Sequence, residues 1–145
     1  MRLIDANILL YAYDDSSTLH GAAKQWLEKN LSEAEPIRLA WVTILAFLRI
    51  ATHRKIYANP YSIAEATAIV DDWLARPCVD ILQPTARHWS ILTALLKNGQ
   101  ATGPLVMDAH LAALAIEHGA TLCSTDKDFT RFDRLKLANP LAAAS

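Results

Sequence analysis

Hydrophobic positions along the chain fall into two kinds of run. Short, unbroken apolar runs end abruptly at a polar residue, and longer segments carry apolar residues at helical spacing; the two kinds alternate from one end to the other. The short runs predict strands at Arg2 to Ile4, Ile37 to Ala40, Val79 to Leu82, Thr121 to Cys123 and Leu135 to Ala138. Between them lie predicted helices. The first, Ile8 to Tyr13, is closed by the turn-rich Asp14 to Thr18, and Leu19 to Leu31 follows with Ala22, Ala23, Trp26 and Leu27 on one face. Pro36 stops that segment, and Trp41 to Ile50 reads as a helix buried at its start and wet at its basic end, His53-Arg54-Lys55. After the loop Tyr57 to Tyr61, Ser62 and Glu65 form a capping box opening a helix through Ile63, Val70 and Leu74 that Pro77 ends. Thr85 is the expected cap of a helix with Trp89, Leu92 and Leu96 on one face, ended by a left-handed Gly99. Gly103-Pro104 restarts the chain into an alanine-rich helix, Leu105 to His118, closed by Gly119. Strands that alternate with helices need crossover connections, so the expected class is α/β: a parallel central sheet with helices on both faces, three layers in all.

Composition narrows the picture. The 145 residues, 52% hydrophobic and 20% charged, suit one domain, expected over residues 1–141, with residues 142–145 as a frayed tail. A formal net charge of -1 argues against binding nucleic acid by bulk positive charge, so any such role must rest on a local site. Cys78 and Cys123 are too few for a disulfide framework or zinc knuckle. No signal peptide and no membrane-length apolar run is read, which makes the cytoplasm the expected compartment.

The chemistry gathers where strands end. Asp5 follows the first strand and Asp126 follows the fourth, so two strands deliver carboxylates to one sheet edge, the edge at which open α/β sheets bind ligands. Asp108 opens the alanine-rich helix, whose small residues allow close approach to the sheet. Each acid also has a plainer reading: Asp5 as a helix cap, Asp108 as a charge favoured near a helix N-terminus, Asp126 and Asp128 as turn residues. Acids gathered at one point raise each other's pKa, and a divalent cation with a preference for hard oxygen ligands, magnesium or manganese, is the usual compensation. No activated serine or cysteine and no glycine-rich phosphate loop is apparent. His110 reads as a surface or core histidine near Asp108. Trp26, Trp41, Trp73 and Trp89 read as core or interface residues. Arg49, His53, Arg54 and Lys55, with Lys127, Arg131 and Arg134, are the candidate phosphate contacts, although each by itself reads first as part of a solvated helix end or loop.

The segments LIDANILLYA (Leu3 to Ala12), WVTILAFLRIAT (Trp41 to Thr52), MDAHLAALAIEHGATL (Met107 to Leu122) and STDKDFTRF (Ser124 to Phe132) together resemble the PIN-domain ribonucleases, and within them the VapC-like toxins of toxin-antitoxin pairs. The resemblance implies a Mg2+-dependent (or Mn2+-dependent) endoribonuclease. Its metal-holding, catalytic acids would fall on Asp5, Asp108 and Asp126, with Asn7, Thr125 and Asp128 in support. Asp126 would orient and deprotonate an attacking water. Many relatives carry a further Glu early in the helix after the second strand, where this chain has Ala46. That departure keeps a second reading open: a catalytically weak PIN fold that works by binding. The implied partners are an RNA substrate, a small VapB-like antitoxin lying across Leu19 to Leu31 and Trp41 to Ile50, and a second copy in a homodimer. A haloacid-dehalogenase-type phosphatase ranks lower, because Asn7 stands where that class needs a second Asp. A structure-specific DNA nuclease also ranks lower, because a compact chain leaves little room for added DNA-threading elements.

Overall fold

The computed structural model describes residues 1–142. Of the tail expected at residues 142–145, all but Ala142 lies outside the described residues. In chain order the elements are β1 (Arg2–Ile4), α1 (Ala6–Ala12), α2 (His20–Ser32), β2 (Ile37–Leu39), α3 (Trp41–Ala51), α4 (Ile63–Ala75), β3 (Val79–Ile81), α5 (His88–Asn98), α6 (Leu105–His118), β4 (Thr121–Cys123), a 3₁₀ helix (Lys127–Arg131) and β5 (Lys136–Ala138). The strands form one parallel sheet in the order β3-β2-β1-β4-β5.

Side chains alternate across a strand, so neighbouring residues serve opposite layers. Ile4 packs with Ile8, Leu9, Phe47 and Trp73 from α1, α3 and α4 on one face, while Leu3 packs with Leu95, Leu114 and Phe129 on the other. Cys123 and Leu122 of β4 divide in the same way. From β1 the chain steps outward to β2 and β3, then returns to lay β4 and β5 on the other side. The order therefore reverses between β1 and β4, and a crevice opens at the carboxyl ends of that pair. Asp5 N–H bonds to Cys123 C=O at 2.9 Å, which sets Asp5 level with the residues leaving β4.

Several local expectations change. The first helix begins at Ala6 rather than Ile8, because Asp5 caps it by accepting the Ala6 N–H at 2.7 Å. Gly99 is not left-handed: its φ is -85°. Gln100 takes the positive φ, 49°, instead. Gly99 is needed for room, since a Cβ there would lie 2.8 Å from Leu95 O and 3.1 Å from the Phe132 ring. Thr85 lies outside α5, with its hydroxyl accepting the Arg87 N–H at 3.2 Å. The start of α3 is buried on one side only, with Thr43 and Ile44 buried but Trp41 49% and Leu45 60% exposed. Trp73 is core, whereas Trp89 is exposed. Among the described residues no helix is long and apolar enough to cross a membrane.

A polar strut unseen in the sequence ties α5 to α6. Glu117, 6% exposed, accepts the Thr85 N–H at 2.6 Å and pairs with His88 Nδ1 at 2.6 Å, and His88 Nε2 meets His110 Nδ1 at 3.0 Å. His110 and Glu117 lie two turns apart on one face of α6, and His88 spans them. These hydrogen bonds hold the Glu117 carboxyl below its usual range despite its burial. Glu117→Ala leaves the Thr85 N–H and the His88 ring without their acceptor. The expected cost is roughly 2–4 kcal/mol of stability, read as a fall in melting temperature on the order of 10 °C by calorimetry.

Candidate metal centre

Each acid reaches the crevice for a local reason. Asp5 is delivered by β1, and both of its oxygens are engaged: Oδ1 caps α1, and Oδ2 accepts the Ser124 hydroxyl at 2.7 Å. Asp108 lies in the first turn of α6, which the buried Ala109, Ala112 and Ala113 let pack against the sheet. Asp126 leaves β4 and caps the 3₁₀ helix, its Oδ1 accepting the Asp128 N–H at 2.8 Å. That tight turn brings Asp128 inward. Carboxylate oxygens of Asp108, Asp126 and Asp128 all come within 4.8 Å of one another. Asp5 stands outside that trio but within its electrostatic reach.

The charges register this crowding. Asp108 is pushed up to about 6, chiefly by burial and then by the negative charges of Asp126, Asp5 and Asp128, with Arg131 opposing. Asp5 is also raised, by burial first and by the Asp126 charge last, although the Ser124 and Ala6 hydrogen bonds pull the other way.

Ser124 was not among the residues singled out from the sequence, yet it joins the two strands' acids. Its side chain is buried, 2% exposed; the hydroxyl donates to Asp5 and accepts from Asp126 N–H at 3.0 Å and from Asn7 Nδ2 at 3.3 Å. Asn7 Nδ2 also donates to Thr125 Oγ1 at 2.9 Å, so Asn7 and Thr125 brace one another. The signal available in the sequence was position: Ser124 is the first polar residue beyond the buried end of β4.

The donor set fits a hydrated divalent cation. It is all oxygen, its mutual repulsion is offset only in part by Arg131, and Asn7 Oδ1 is a buried acceptor with no donor. The Thr43 hydroxyl, in the first turn of α3, is also buried and unpaired. Ala46 lies one turn further along α3, so the helix Glu that the resemblance implied is absent, while Asp128 joins the cluster.

The basic residues separate. Asp5 lies beside the start of α1, and α3 leaves β2 at the same sheet edge, so Arg49, His53, Arg54 and Lys55 lie a helix length away, about 15 Å by helical rise. The loop that follows α3 meets the far end of α1, Tyr61 Oη donating to Tyr13 O at 2.7 Å. That placement suits the plainer reading of the stretch, a solvated helix end and loop. His110 faces His88, not the acids.

A parallel sheet whose switch point gathers carboxylates from β1, β4 and the helix between them defines the class. The chain belongs to the PIN domain family, which matches residues 2–135. Within that family it is similar to ribonucleases named VapC. Ribonuclease VapC37 of Mycobacterium tuberculosis is 42% identical over 98% of this chain and 99% of its own length, and Ribonuclease VapC33 of the same species is 38% identical over 97% and 99%. Among solved structures, VapBC2 from Rickettsia felis bound to a promoter DNA fragment aligns with a TM-score of 0.66 at 20% identity, covering 95% of this chain and 97% of that one. M. tuberculosis VapC20, described as a sarcin-ricin loop cleaving toxin, gives 0.66 at 16% identity, covering 94% and 99%.

Proposed function

We propose that the protein is a metal-dependent endoribonuclease, the toxin of a toxin-antitoxin pair acting in the cytoplasm. The observation that carries this reading is the convergence of Asp108, Asp126 and Asp128 beside Asp5 at the crevice between β1 and β4. Near-full-length similarity to VapC ribonucleases supports it. Asp5, Asp108 and Asp126, joined by Asp128, would hold Mg2+, or Mn2+ in its place. When bound, the ion supplies charge neutralisation at a phosphate oxygen and a more acidic water. Asp126, fixed at one oxygen by the Asp128 N–H, presents its other oxygen to orient a water and take its proton. Ser124 keeps Asp5 and Asp126 in register, and Asn7, held by Ser124 and Thr125, offers its free Oδ1 as an acceptor.

The antitoxin-like partner has a fitting seat on the α1–α4 face. A groove of about 790 Å³ there is lined by Tyr13, Leu27 and Phe47, by Asp14 and Glu28, by Lys24, and by Asp72 paired with Arg76 at 3.4 Å, so that acids outnumber bases. An amphipathic segment with basic flanks complements it. Trp41, Leu45, Val106 and Met107, exposed on the first turns of α3 and α6, are assigned to the second copy in a homodimer.

The test is cleavage of a structured RNA by purified, partner-free protein with Mg2+ or Mn2+. EDTA and Asp5→Asn are each expected to abolish cleavage, the variant by at least about a hundredfold. Cleavage that survives EDTA would remove the metal from the reading. Folded protein that neither binds metal nor cuts RNA would leave the binding-module alternative, with Ala46 as its mark.

A further inference from the structure

We propose that Arg131 is the anchor for the RNA backbone at the metal centre, holding a phosphate next to the one that is cut. The inference rests on the ribonuclease reading above and names a substrate contact for it.

In a 3₁₀ helix, residues i and i+3 eclipse one another, so Arg131 rises on the same side of Lys127–Arg131 as Asp128. Its guanidinium is tethered, Nη1 donating to Gly99 O at 2.9 Å. The tether spans from the 3₁₀ helix to the turn between α5 and α6. That turn leads directly into the helix that carries Asp108. Arg131 is also the cation whose charge Asp108 feels. Yet it forms no ion pair with any carboxylate among the described residues. A guanidinium has five N–H donors, and Gly99 uses one, so the remaining fork is oriented and available.

The other basic residues do not share this placement. Arg49, His53, Arg54 and Lys55 lie at the far end of α3. Arg134, with φ 68°, lines a small cavity with Ser90 and Asn98 of α5. Lys127 is exposed at the start of the 3₁₀ helix with no tether.

An RNA strand brings one negative charge per nucleotide to a cleft that is itself acidic. A divalent cation held by these acids would compensate one phosphate, leaving the flanking phosphates near the charges of Asp128 and Asp126. A guanidinium tethered at Gly99, on the same side of the 3₁₀ helix as Asp128, would supply the counter-charge for such a phosphate, with a planar fork matched to two of its oxygens. Because the side chain is held before substrate arrives, little ordering is left for binding to offset.

Arg131→Ala, Arg131→Lys and Arg54→Ala are compared by steady-state cleavage, by the salt dependence of kcat/KM, and by anisotropy of a fluorescent single-stranded RNA. Mn2+ binding is followed by electron paramagnetic resonance. Arg131→Ala is expected to raise KM and weaken RNA binding about tenfold while changing kcat much less, and to flatten the salt slope by about 0.7, the value of one phosphate contact on a single strand. Arg131→Lys should recover the slope and part of the affinity. Mn2+ binding should be unchanged or tighter. The proposal is overturned if Arg131→Ala shifts KM, RNA affinity and salt slope no more than Arg54→Ala does. It is also overturned if the loss lies in Mn2+ binding and kcat, which would make Arg131 a strut acting through Gly99. Should the wild-type protein neither cleave RNA nor bind Mn2+, the ribonuclease reading fails, and anisotropy still decides whether Arg131 holds RNA.

Discussion

Asp108→Asn is expected to reduce RNA cleavage by about a thousandfold or more while making the metal-free protein more stable at neutral pH. The two effects have one origin. In the folded chain Asp108 holds its proton up to about pH 6, because burial and the charges of Asp126, Asp5 and Asp128 penalise its ionised form. In the unfolded chain it releases that proton near its ordinary value of 3.8. The native state therefore binds the proton more tightly. This stabilising contribution is fully present below about pH 4 and is lost as pH rises through about 6. Above that pH the ionised carboxylate works against the fold, and the isosteric amide removes the repulsion. Discounted for partial exposure, the gain is roughly 1–2 kcal/mol. Added Mg2+ or Mn2+ should reverse the order, since only the wild-type protein gains binding free energy from the ion. Metal affinity should fall about tenfold per pH unit below about 6, as the proton on Asp108 competes with the ion. Denaturation midpoints at pH 5 and pH 8, with and without metal, check all of this. An Asp108→Asn protein that is less stable than wild type without metal at pH 8 would show that Asp108 serves the fold, not the site.

Ser124→Ala carries the second large effect, a loss of roughly ten- to a hundredfold in activity or metal affinity together with about 2–3 kcal/mol of stability. The hydroxyl serves three groups: it donates to Asp5 and accepts from Asp126 N–H and Asn7 Nδ2. Removing it leaves Asp5 Oδ2 without its donor and the Asp126 N–H without its acceptor, and takes one of the two partners of the Asn7 amide. Thr125→Ala should do much less, because Thr125 is joined only to Asn7 among these site residues. Ser124→Thr keeps the hydroxyl and should retain most activity if the pocket admits a methyl group. The comparison is made by thermal melting and by Mn2+ titration of each variant. If Ser124→Ala and Thr125→Ala lose the same amount, the hydroxyl of Ser124 does not hold the two strands' acids in register.

The sequence alone determined the layer structure and the edge of the sheet that carries the chemistry. Short apolar runs that end in Asp5 and in Ser124-Thr125-Asp126, separated by helical periodicity, admit little besides parallel strands with crossover helices, and these leave the acids at the carboxyl ends. The capping box at Ser62 and Glu65 and the helix stop at Gly119 were legible because their chemistry is local. The tertiary structure alone decided which polar groups meet. The family resemblance named Thr125, and packing chose Ser124, whose hydroxyl is the one that reaches Asp5. A tight 3₁₀ turn brought Asp128 to Asp108, the length of α3 carried His53, Arg54 and Lys55 away, and α5 against α6 joined His88 to Glu117. Each of these meetings depends on distances across elements far apart in the chain. Periodicity orients a residue on its own helix or strand, but only the packing of layers sets what lies opposite it.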